Sequence, residues 1–297
     1  TKYQSGLALI DAGNFTGALT IFTEIEQARP GLWDVPRQLK YAEDQISIEA
    51  LFLAARKAYD ESDWAAVIEN YEAALTIDPK LEDGLMKEQL LNGYLRAIIQ
   101  MLENDSTTIE DIENAEDYYR KAVAMIPQSR AFTSERENLR EVSSNLLVLK
   151  YSQTASILLT ESTQTVNSIG KAVSYLSRAS NLSPNDQNLK NELANAQLYQ
   201  IGLQNFVNMD WGTAIDNLTR LVTADKKYAD GKASILLYEA HAARGRQYYS
   251  VGLYLDARRN FESAEIIAWE RPDNPFKLFD IQTWLGATLG KVDDYTN

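Results

Sequence analysis

The sequence predicts an all-α protein of about six helix pairs, with one further helix at the C-terminal end. Three observations predict it. An apolar stripe at helical spacing recurs six times, most copies end on a helix stop, and small residues hold fixed places inside the stripe. Repeats of this kind set the whole architecture, so they come before local structure.

The clearest copy runs from Ala66 to Pro79 and reads Ala-Val-Ile-Glu-Asn-Tyr-Glu-Ala-Ala-Leu-Thr-Ile-Asp-Pro. Its apolar positions fall three and four apart, which places them on one helical face. Pro79 ends the helix, because proline has no backbone N–H to donate.

The other copies align on that one without an internal gap. A bulky residue expected just before each helix gives the first column: Phe15, Trp64, Ile112, Ile169, Trp211 and Tyr254. Three residues on stand Ala18, Val67, Ala115, Ala172, Ala214 and Ala257. Four further on stand Phe22, Tyr71, Tyr119, Leu176, Leu218 and Phe261, and then Ile25, Ala74, Ala122, Ala179, Leu221 and Ala264. Pro30, Pro79, Pro127 and Pro184 close four units, and Lys226 and Trp269 take that place in the last two.

Small residues let two helices approach closely, and the large side chain fills the space beside them. Each pair then leaves an apolar face that the next pair covers, which is the packing logic of a solenoid. The alanine column steps by 49, 48, 57, 42 and 43 residues, so extra length lies in the first helices or the loops. Long first helices are expected around Leu85–Leu102 and Glu135–Leu159. The polar stretches Glu103–Thr108 and Thr160–Ser168 are expected as surface insertions, with a contact edge as the sharper reading.

These columns resemble the second helix of the tetratricopeptide repeat (TPR), of the bacterial type. The first helix of that repeat is matched by Gly245 and Tyr248 in unit six, and by Leu198, Ile201 and Gly202 in unit five. Leu51, Ala54, Ala55 and Ala58 match it in unit two, and Gly6 and Leu9 in unit one. Units three and four depart, and the steps exceed the family's repeat of about 34 residues. The resemblance implies a right-handed α-α superhelix, a TPR-like solenoid forming a single domain over 1–297. Its repeats are expected near 1–30, 43–79, 85–127, 136–184, 187–226 and 232–269, with a terminal helix over 275–290.

At the C-terminal end, Asn274-Pro275 reads as a helix start, and Leu285, Gly286 and Leu289 match a first helix. Tyr295 falls where Trp64 and Trp211 sit in their units. Either this helix is a cap, or the chain is a segment of a longer array. The broken first repeat agrees with the second account.

The resemblance also implies a site. First helices line the concave face in that family, and residues one past the packing positions point into it. By register these are Phe52, Arg56 and Tyr59, then Tyr199, Leu203 and Phe206, then Arg246 and Tyr249, with Tyr3 and Leu7 in unit one. A peptide or protein partner is expected there, because tyrosine and arginine give contact area with a polar end. The alternative for each ring is packing within the long first helices. No Lys-Asn pair stands at the carboxylate-clamp positions, so that family function is not expected, although Arg56 or Arg246 could pair with an acidic peptide.

Composition limits the other classes. The net charge is −13, from 29 Lys and Arg against 42 Asp and Glu, and there is no basic run. Nucleic acid and an anionic membrane surface are therefore poor partners. No run of 18 apolar residues would cross a bilayer. The chain has no cysteine and one histidine, His241, so thiolate metal sites, disulfides and multi-histidine sites are excluded. No cofactor, metal or catalytic residue is expected. His241 reads as a packed histidine, and Glu82-Asp83 and Asp293-Asp294 as solvated faces.

The sequence thus favours a non-catalytic interaction scaffold. A regulatory or sensory segment of a larger signalling or envelope protein, and a small-molecule or glycan binder, are the alternatives. The compartment stays open between cytoplasm and the soluble part of an anchored protein, and so does the oligomeric state.

Overall fold

The computed structural model describes residues 1–81, 83–104, 106–126, 134–270 and 275–296, without the side chains of 275, 276 and 293–296. Among these residues there are thirteen α-helices and no strand. They are α1 (Lys2–Asp11), α2 (Phe15–Ala28), α3 (Val35–Asp60), α4 (Trp64–Ile77), α5 (Gly84–Leu102) and α6 (Ile109–Met125). Then follow α7 (Ser134–Thr160), α8 (Val166–Leu182), α9 (Gln187–Val207) and α10 (Trp211–Ala224). The last three are α11 (Lys232–Ser250), α12 (Tyr254–Trp269) and α13 (Pro275–Thr296). The chain divides into two compact units, Thr1–Leu147 and Val148–Asn297, with the division inside α7.

Neighbouring helices pack in pairs within each unit. In the first, each helix from α1 to α5 packs on its successor, and α3 also touches α5. In the second, each helix from α8 to α12 does the same, and α9 also touches α11. Helices α5 and α7 span the expected long first helices to within a residue or two at each end.

Helix α3 starts at Val35, well before the expected start near residue 43. Asp34 stands at its N-cap and Pro36 in its first turn, and that start signal is present in the sequence. Pro127 and Asn274 lie outside the described residues, as do Glu82 and the side chains of Asp293, Asp294 and Tyr295. Asp83 caps α5, accepting from the Met86 N–H at 2.7 Å.

Five of the six second helices begin on side-chain caps, and α12 starts after Leu253 without one. Asn14, Asp63 and Asp210 accept from the backbone N–H three residues on, at 2.9, 3.1 and 3.2 Å. Phe15, Trp64 and Trp211 are consequently the first residues of their helices and not the residues before them, and Tyr254 likewise opens α12. Ile112 and Ile169 sit one turn further in, because the capping boxes Thr108–Asp111 and Thr165–Ser168 start α6 and α8 earlier.

The columns form the core. Ala18, Val67, Ala115, Ala172, Ala214 and Ala257 are all fully buried, and so are Phe22, Tyr71, Leu218 and Phe261. Tyr119 and Ile25 are half-buried members of theirs. Three first helices place a glycine under the large side chain sixteen residues later. A Cβ added at Gly6 would lie 2.7 Å from the Phe22 ring, at Gly202 2.7 Å from Leu218, and at Gly245 2.5 Å from Phe261. Carbon atoms do not approach that closely, so glycine at these sites is what lets the two helices touch. The same step reaches from buried Ala55 to buried Tyr71 in the second pair.

The polar insertion between α7 and α8 is tied down inside the second unit. Lys232 Nζ donates to the Thr160 and Glu161 carbonyls at the α7 C-terminus, and Tyr199 Oη donates to Gln164 Oε1. A cation on the last carbonyls of a helix also meets the negative end of its dipole.

Candidate binding surfaces

The ten residues singled out by register fall in both units, and each set has its own surroundings. Phe52, Arg56 and Tyr59 lie on α3 in the first unit. Phe52 is half-buried, edge-on to Tyr71 at 5.5 Å. Arg56 is exposed, with its guanidinium 6.0 Å from the centre of the Phe52 ring. It interacts with the Tyr71 hydroxyl, and among the described residues no carboxylate forms an ion pair with it. Tyr59 is held at 5.4 Å against Trp64, and its hydroxyl accepts from Asn92 Nδ2 at 3.2 Å.

In the second unit most of the expected groove is committed to packing. Tyr199 is 2% exposed, so its ring presents no surface to a partner, which corrects its assignment to an open groove. It lies edge-on to Tyr228 at 5.9 Å, and burial pushes its hydroxyl up to about 12. Leu203 is half-buried. Phe206 packs on Trp211 at 5.2 Å, and Tyr249 between Tyr254 and Trp284 at 5.3 and 5.5 Å. Arg246 faces the Asp280 carboxylate at 3.8 Å. Tyr3 and Leu7 of α1 pack against the Phe22 cluster, and Tyr3 donates to Asp34.

One rule explains the captured rings. Tyr59, Phe206 and Tyr249 each stand five residues before an aromatic that opens the next helix, and the tight turn folds one ring onto the other. Such edge-to-face pairs add about 0.5–1.5 kcal/mol beyond their buried area.

Two features of the first unit were not singled out in the sequence. Arg96, on α5 one turn beyond Asn92, lays its guanidinium 5.2 Å from the Trp64 ring centre and donates to Glu135 Oε1 at 2.9 Å. Its Nε is buried with no hydrogen-bond partner among the described residues. Unit three departs from the repeat register, so column matching could not find it. Leu53, beside Phe52, is 73% exposed.

The second feature is a cleft of about 850 Å³ between the C-terminal ends of α4 and α6, floored by Met86, Leu90 and Leu91 of α5. On its wall Glu72 accepts from Tyr94 Oη at 2.5 Å and from Lys121 Nζ at 2.7 Å. Burial and the Glu72 hydrogen bond push the Tyr94 hydroxyl well above its usual value. The ammonium of Lys121 is 5.8 Å from both the Tyr94 and the Tyr118 ring centres. This network satisfies its own charges and gives the cleft a polar wall over an apolar floor.

No protein-family model and no curated protein compared with the chain matches it. Among the described residues no helix is long and apolar enough to cross a membrane.

His241 is half-buried on α11, with Nδ1 3.3 Å from Asn260 Oδ1. Asn260 donates its own Nδ2 to the Asp256 carbonyl at 2.8 Å, which leaves Oδ1 to accept and sets the proton on Nδ1. Burial holds the imidazole below its ordinary value, with the Asn260 bond opposing in part and Arg244 adding to the fall. The unfolded chain then binds a proton more readily than the folded one. Stability from this residue is present above the ordinary imidazole value of about 6.5 and is lost as pH falls below it. Melting at pH ~7.5 and ~5.5 is expected to show a larger loss for wild type than for His241→Gln. Equal losses would exclude His241 as the source.

Proposed function

We propose that the chain is a TPR-like solenoid acting as a non-catalytic scaffold, which binds a protein or peptide on the α3–α5 face of its first unit. The observation that carries this reading is Arg56. It is an exposed cation over a half-buried ring, in no ion pair with a carboxylate of the described residues, beside the exposed Leu53. An Arg–aromatic surface next to an exposed apolar side chain has the chemistry of a binding hot spot. Six second helices with their small-residue columns buried support the solenoid part of the reading.

A photo-crosslinking residue placed at Leu53, in the full chain and in lysate of the source organism, is expected to give a discrete adduct. Arg56→Glu should weaken it, and the same probe at exposed Thr20 on α2 should give none. Adducts from Thr20 alone, or equal adducts from both positions, would remove the α3 face as the site.

A further inference from the structure

We propose that the partner carries an acidic segment, that Arg96 receives one of its carboxylates, and that Glu135 occupies Arg96 until that segment binds. This rests on the α3–α5 reading given above and names the chemistry of its ligand.

The geometry is a connected row. Arg56 stands over Phe52, and Tyr59 follows one turn later on the same face of α3. The Tyr59 hydroxyl meets Asn92 of α5, and Arg96 follows Asn92 by one turn. Trp64 closes the row by touching both Tyr59 and Arg96. Two guanidinium groups therefore flank the Tyr59–Asn92 hydrogen bond, each within cation–π distance of an aromatic ring, and Arg56 also interacts with the Tyr71 hydroxyl. A guanidinium held beside a ring keeps donors for a carboxylate, and its fork suits two-point recognition of an acid.

Glu135 shows what this fork accepts. It lies in the first turn of α7, its side chain is 73% exposed, and one of its oxygens takes the Arg96 Nη2 hydrogen. Arg96 itself is 38% exposed, so the pair stands at the surface and not in the core. Exposed pairs of this kind are weak and are held against the freedom of two long side chains. A ligand carboxylate anchored elsewhere on the row, at Arg56 first, competes at high local concentration and displaces Glu135. The single contact to Glu135 uses one Nη2 hydrogen and leaves Nε without a partner. Nε lies below the surface, so an incoming carboxylate meets Arg96 through its exposed Nη groups.

The charge of the chain sharpens the choice. With a net charge of −13, most of the surface repels an acidic peptide, so such a ligand is held only where cations are locally in excess. Several other carboxylates near the row are engaged, and exposed Asp60 on α3 forms no ion pair with Arg56. Asp63 caps α4, Glu61 faces Lys57 at 3.8 Å, and Glu88 faces Arg136 at 3.9 Å.

The test uses the full chain and a fluorescein-labelled peptide alternating Glu and Ala, with a Gln-for-Glu twin, read by fluorescence anisotropy at fixed salt. The Glu peptide is expected to bind, and the Gln twin at least about tenfold more weakly. Arg96→Gln should weaken the Glu peptide by about tenfold. Glu135→Gln removes the competitor and should tighten it several-fold. That variant changes an exposed side chain, so it decides the matter even where Arg96→Gln fails to fold.

Affinity unchanged or reduced in Glu135→Gln would overturn the proposal, as would equal binding of the two peptides. If Leu53 adducts form while these peptide results fail, the acidic ligand falls and the α3–α5 surface stands. If adducts and peptide binding both fail, the surface itself falls.

Discussion

Phe261→Ala is expected to destabilise the second unit by about 3–5 kcal/mol, the cost of emptying a buried aromatic site. Phe261 has no exposed surface and packs with Tyr238, Ala257 and Ile281. Its ring also rests on the backbone of α11 at Gly245. That contact predicts a change of sign. In the native chain Gly245→Ala forces a methyl group to 2.5 Å from the ring and should cost about 1–3 kcal/mol through overpacking. In the Phe261→Ala background the same methyl enters vacated space and gains the helix propensity of alanine, about 1 kcal/mol. Urea unfolding of the four species gives the coupling directly. Simple additivity would show that Gly245 is not there to seat the ring. Gly286 on α13, with nothing within 4 Å of an added Cβ, serves as the reference for propensity alone.

Tyr199→Ala is expected to cost a similar 3–5 kcal/mol, whereas Tyr199→Phe should cost about 1 kcal/mol. The first change removes a fully buried ring that touches Tyr228, and the second removes only the hydrogen bond to Gln164. A loss of partner binding in Tyr199→Ala would therefore report unfolding and not a groove contact. Circular dichroism melts separate the two. A Tyr199→Ala chain that melts with wild type would place the ring at the surface after all.

The contrast between these two residues marks how far the sequence carries. Phe261 was legible because the second helices repeat short, with a small residue fixed between large ones, and burial follows from that spacing alone. Tyr199 was not, because a register position on a first helix says which way a side chain leaves the backbone and nothing of what meets it there. The Gln164 that meets it belongs to an insertion outside the repeat. For Tyr59, Phe206 and Tyr249 the missing signal was in plain view as an aromatic five residues on, across a turn too short to keep the rings apart. Arg246 was taken by Asp280, a partner from α13 that no pattern within unit six contains. Arg96 escaped because its own unit had lost the register.

The seat under each large side chain has an evolutionary consequence. Glycine below phenylalanine, glycine below leucine and alanine in step with tyrosine all occupy the same place in four of the pairs. What such a place selects is a summed volume across two helices, so a gain on one side can be cancelled by a loss on the other. Letters can then drift in compensated steps while the spacing between helix axes stays put. Under that rule the backbone outlives any recognisable spelling, and ancestry is better sought in paired sizes sixteen residues apart than in single positions.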